Sequence, residues 1–105
     1  MEIRTERRAT PRRKVHWGAR IASLDGGRYM RCVTRDFSSN GARVDLEGQQ
    51  VLDAMVWLLD LQHRLAYEAR IVWRSNPDMG LQFLRCYRFD ELPSQVVRDL
   101  IESEP

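Results

Sequence analysis

Three stretches of the chain alternate apolar and polar residues with a period of two, and that rhythm commits most of the sequence to β-strands. In the first, Val15, Trp17, Ala19 and Ile21 share one side while His16, Gly18, Arg20 and Ala22 share the other. In RLAYEARIVWR, residues 64–74, one side collects Leu65, Tyr67, Ala69, Ile71 and Trp73. Met79, Leu81 and Phe83 form the inward side of the third. Residues 54–61, AMVWLLDL, have almost no polar face and read as a mostly buried strand. Residues 29–37 and 42–46 complete the set, although adjacent Cys32 and Val33 leave the inward face of the former open.

The punctuation agrees. Asp25-Gly26-Gly27, Ser39-Asn40-Gly41 and Asn76-Pro77-Asp78 are tight-turn sequences, the first two rich in residues that tolerate positive φ. Six strands joined by short turns predict a mainly β, antiparallel barrel, closed because closure removes exposed sheet edges. The period then changes. In DELPSQVVRDLIESEP, Leu92, Val96, Val97, Leu100 and Ile101 fall on one helical face, and Asp90 or a neighbour can cap it. So short a helix is not stable alone and should pack on the barrel.

A chain of 105 residues has the length of one domain with one core. Cys32 and Cys86 have no CxxC spacing, so they read as small buried hydrophobes and not as a disulfide framework or zinc site. No apolar run reaches the ~18 residues of a membrane span, and the start lacks the apolar stretch of a signal peptide. A cytoplasmic location is the simplest expectation.

Charge is unevenly placed. The net charge is only +2, yet RRATPRRKV, residues 7–15, holds five cations. Residues 1–13 offer little to bury besides Ile3, and Pro11 discourages regular structure, so they read as a flexible arginine-rich arm ahead of a barrel over 14–105. Within the arm, Arg8 and Arg12 form an RxxxR, preceded by Arg7. Asp36, Ser38 and Gly41 form a DxSxxG that begins 24 positions after Arg12. Each motif alone is weak. Arginine is common here, and DxSxxG also describes an ordinary Asx or Ser turn entering a hairpin.

In combination they are more specific. A basic arm, a strand, DxSxxG at the end of the next strand, a small barrel and a C-terminal helix resemble the PilZ domain family. RIVWR followed by DMGLQFL is similar to that family's paired late strands with a Gly-x-x-Phe ending. The resemblance covers about residues 6–103, and Arg8, Arg12, Asp36, Ser38 and Gly41 all match. It implies a receptor for the bacterial second messenger cyclic di-GMP, with no cofactor, acting in motility, pilus function or exopolysaccharide production.

The chemistry fits those residue types. Cyclic di-GMP carries two phosphodiester charges and two guanines, and an arginine fork meets guanine O6 and N7 together or stacks on a base. Arg8 and Arg12 are therefore expected on a guanine edge and a phosphate. Asp36 can accept from guanine N1–H and the N2 amine, or fix an arginine by a charge-assisted bond. Ser38 shares the strand face of Asp36 and can donate to a phosphate oxygen or to N7. Gly41 is expected to supply a positive-φ turn that lets backbone N–H groups approach the ligand. An arginine directly ahead of RxxxR, here Arg7, is associated in similar families with two intercalated ligand molecules per chain.

Other residues read as structure first. His16 and His63 are isolated surface histidines. Trp17, Trp57 and Trp73 fall at inward phases, with Trp73 also able to reach a base from its strand end. Arg70 and Arg74 share an outer face that either extends the basic surface or is simply solvated. No nucleophile–base pair, metal cluster or Gly-rich loop before a helix suggests an enzyme. Ligand binding would order the arm and change the surface shown to an effector protein. Two alternatives remain open: a PilZ-fold interaction module that binds no nucleotide, and a small barrel that binds RNA or single-stranded DNA through its basic arm. The mostly inward aromatics and the charge balance outside the arm weigh against nucleic acid.

Overall fold

In a computed structural model, which describes residues 11–48 and 52–105, six strands form a closed barrel. They are β1 (Arg13–Ser23), β2 (Tyr29–Ser38), β3 (Gly41–Leu46), β4 (Met55–Asp60), β5 (Leu65–Ser75) and β6 (Asp78–Arg88), followed by one helix, α1 (Gln95–Glu102). All neighbours run antiparallel in the order β1-β2-β3-β6-β5-β4, and the ring closes where Arg20 pairs with Leu59 and Ser23 with Val56. At the β1–β2 turn the Asp25 carboxylate accepts from the Gly27 N–H at 2.9 Å and from the Ser23 hydroxyl at 2.7 Å. Gly26 there adopts φ 77°, which a side chain would resist.

Two apolar layers form. Ile21, Cys32, Val44, Val56, Leu58 and Met79 fill the barrel interior. Outside β4, Trp57 and Leu59 join Ala22, Ala66, Phe89, Leu92, Val97 and Ile101 beneath the helix. The second layer explains two local irregularities of the pattern: β4 is apolar on both faces, and Ala22 is as buried as Ile21. The helix is capped by Ser94, whose Oγ accepts from the Val97 N–H at 3.3 Å, while Asp90 lies in a preceding 3-10 turn, Phe89–Glu91. Beyond the helix, Glu104 ties the tail to the barrel. Its carboxylate accepts two bonds of 2.8 Å from Arg20 and one of 2.6 Å from the Tyr29 hydroxyl.

Four expectations need correction. Arg13 belongs to β1 and not to the arm, because its backbone continues the ladder opposite Phe37. Cys86 is exposed, because β6 runs on to Arg88 past the interior; Cys32 is buried, and burial pushes its thiol up to about 12. Trp73 is not core but 42% exposed. A register shift between Ile71 and Trp73 breaks the alternation and turns the ring outward. Val96 also faces out, at 53% exposure, although its side chain comes against Gly26 of the β1–β2 turn.

Candidate functional site

The pairing registers place Asp36 and Trp73, two of the residues selected from the sequence, in one line across the outside of the sheet. Lys14 on β1 is opposite Asp36 on β2, Asp36 is opposite Arg43 on β3, Arg43 is opposite Gly80 on β6, and Gly80 is opposite Trp73 on β5. Opposed residues share a face, so this row presents one acid, two cations and one indole over roughly 19 Å of sheet, taking ~4.8 Å per strand. A second row, two residues further along on β2, β3 and β6 and three along on the bulged β5, holds Ser38, Gly41, Gln82 and Arg70.

Asp36 is 8% exposed and is doubly paired. Its carboxylate lies 2.6 Å from Arg43 Nε and 3.4 Å from Lys14 Nζ. The Arg43 bond, then the Lys14 contact, holds the carboxyl below its ordinary range against the opposing effect of burial. Arg43 also donates to Asp78 at 3.1 Å and stands 4.0 Å from Asp45. Asp45 is held low by the adjacent Asp78 and by Arg35, whereas Asp78 is raised by its closeness to Asp45. Arg43 is thus a cation aimed by three carboxylates, and its own pKa is raised, chiefly by Asp36.

Sequence reasoning missed Arg43. The signal was present: a two-residue loop at Ser39-Asn40 pairs 38 with 41, hence 37 with 42 and 36 with 43. The alternation Ala42, Arg43, Val44 then points Arg43 outward, because its neighbours are buried.

Ser38 closes the hairpin. Its Oγ accepts from the Asn40 N–H at 3.2 Å and donates to the Gly41 carbonyl at 3.4 Å. Gly41 is required for a reason other than the expected one. Among the described residues the positive-φ glycines are Gly26 and Gly48, and Gly41 is not one of them. A Cβ at Gly41 would instead collide with the Leu81 carbonyl oxygen, so glycine lets β6 approach β3. Gly80 has a parallel role, since a Cβ there would collide with the Trp73 indole, which covers it.

The end of the basic stretch is anchored beside these rows. Arg12 is exposed and immediately precedes Arg13, whose partner is Phe37, between Asp36 and Ser38. The Arg13 guanidinium lies over the Trp17 ring at 5.7 Å, and Trp17 meets Phe37 at 5.2 Å and His63 at 5.1 Å. Phe37 continues inward to Tyr67 and Phe83, which stack at 4.2 Å. Arg7 and Arg8 lie outside the described residues. Among the described residues, no group of three or more His, Cys, Asp or Glu side chains is placed to hold a metal ion.

The profile of the PilZ domain matches residues 6–102, nearly the whole length. The chain belongs to the PilZ domain family. PilZ domains are cyclic di-GMP-binding modules, typically non-catalytic receptors. Among curated proteins no sequence matches the chain. Among the described residues of this PilZ domain, no helix is long and apolar enough to cross a membrane.

Proposed function

We propose that this chain is a non-catalytic receptor that binds cyclic di-GMP on the outer sheet face of β2, β3, β6 and β5 and clamps it there with the arginine arm. The observation that carries the reading is the register row Lys14–Asp36–Arg43–Gly80–Trp73, lying beside Ser38 and next to the point where the arm leaves the barrel. The row offers an acceptor for a guanine's N1–H and N2 amine at Asp36, a cation at Arg43 and a stacking plane at Trp73. Ser38 and the Gly41 backbone stand one rung away for phosphate oxygens. From the arm, Arg8 and Arg12 take a guanine edge and a phosphodiester, each bond contributing about 1.5–3 kcal/mol. Arg7 supports a second, intercalated molecule by adding charge against the four clustered phosphates.

Ligand binding then orders the arm over the sheet, and the altered surface is read by an effector protein. The bacterial cytoplasm is the compartment where this messenger would be met, and control of motility or exopolysaccharide production is the corresponding output. Amide and indole NMR shifts on titration with cyclic di-GMP test the site. Asp36, Ser38, Gly41 and the Trp73 indole should shift, while Trp57 and the amides of α1 should not. Shifts confined to α1 and the β4 side would refute the placement.

A further inference from the structure

The second row does not stop at Gly41. It continues to Gln82 on β6 and Arg70 on β5, so the strip that starts at Ser38 ends on a cation. Arg70 is exposed, and among the described residues no acid pairs with it. Several other strand arginines are held by acids: Arg20 meets Glu104, Arg35 meets Asp45, Arg43 meets Asp36 and Arg88 meets Asp90. Glu68, two residues from Arg70 on the same strand, is bonded to Arg85 at 3.3 Å. On β6 the partners of Arg70 and Trp73, Gln82 and Gly80, are two residues apart, so the two side chains start about 7 Å from one another on one face. That separation suits an arginine meeting, edge-on, a planar base stacked on the indole.

Building on the cyclic di-GMP reading, we infer that Arg70 is a specificity residue: its fork reads the O6/N7 edge of the guanine stacked on Trp73. A guanine edge accepts two bonds from one guanidinium, whereas adenine places an amine donor beside N7 and repels it. Lysine supplies the charge without the fork. The ligand is thereby held from both ends of the platform, by the arm at β1–β2 and by Arg70 at β5.

The test is calorimetry of the full chain with cyclic di-GMP for wild type, Arg70→Ala, Arg70→Lys and Arg31→Ala. Arg31 is the control for net charge. It lies roughly 23 Å along β2 from Ser38, beside Glu104. Arg70 has an exposed side chain, so melting temperatures should stay equal. The inference expects Arg70→Ala and Arg70→Lys each to weaken binding about tenfold or more, with Arg31→Ala near wild type. Wild-type affinity in Arg70→Ala would overturn it. So would an equal loss in Arg31→Ala, which marks a long-range field, or full retention in Arg70→Lys, which marks a phosphate contact. Absence of binding by the wild type would remove the receptor reading itself.

Discussion

Asp36 is the residue on which fold and proposed site meet, because its charge is held by Arg43 and Lys14 while it lies on the sheet face proposed for the ligand. Its folded-state pKa is lowered, so the pairing stabilises the fold above the ordinary carboxylate range and is lost as pH falls through the lowered value. Asp36→Asn is therefore expected to melt at a lower temperature than wild type near pH 7. The gap should close as the pH drops below about 4. Thermal melts across that range check it, and a gap that persists unchanged in acid would contradict the pairing. Gly80 carries a second expectation. A methyl group at Gly80→Ala would push the Trp73 indole off its seat, so binding should weaken about as much as in Trp73→Ala, measured by calorimetry. At this scale the sequence was only partly legible. The Asp36–Arg43 pair follows from the two-residue loop, but the outward turn of Trp73 does not, because a bulge at Val72 leaves no mark in an otherwise regular alternation. The positive φ expected of Gly41 is not what requires glycine there, since the Leu81 carbonyl that excludes a Cβ is a non-local neighbour.

Among the elements, β4 and α1 show what periodicity reveals and what it omits. A strand without a polar face must be covered on both sides, and the amphipathic C-terminal segment is the cover. Bulges in β1, β2 and β5–β6 were not legible, because one extra residue changes register without changing composition. Cutting the chain after Asp90 would expose Trp57, Leu59, Ala22 and Ala66 and remove Leu92, Val97, Ile101 and the Glu104 clasp. Each large apolar side chain stabilises by about 1.5–3 kcal/mol when fully buried. Their sum is comparable with the ~5–15 kcal/mol of a whole small domain. The truncated chain should be largely unfolded by circular dichroism, and an unchanged melting temperature would show that the helix contributes nothing there.

As a whole molecule, the barrel divides its outer surface between two tasks. The helix covers the side formed by β4 with parts of β1 and β5, while β2, β3 and β6 keep the face that carries the Asp36 and Ser38 rows open. Arg13 enters β1 opposite Phe37 on that open face, away from the buried layer beneath the helix. Ligand number belongs to this scale, because it depends on the platform and arm together. On the proposed reading, two cyclic di-GMP molecules would bring four phosphate charges, with Arg7 as the extra cation that a single molecule would not require. Arg7→Ala is expected to lower the stoichiometry from two towards one without abolishing binding. The most direct measurement is a calorimetric titration of the intact chain with cyclic di-GMP, set against GTP and a short single-stranded oligonucleotide. Saturable binding of cyclic di-GMP alone, at two molecules per chain and largely lost in Arg8→Ala and Arg12→Ala, is the expected result. No heat with cyclic di-GMP, or equal affinity in both arginine variants, would contradict the account.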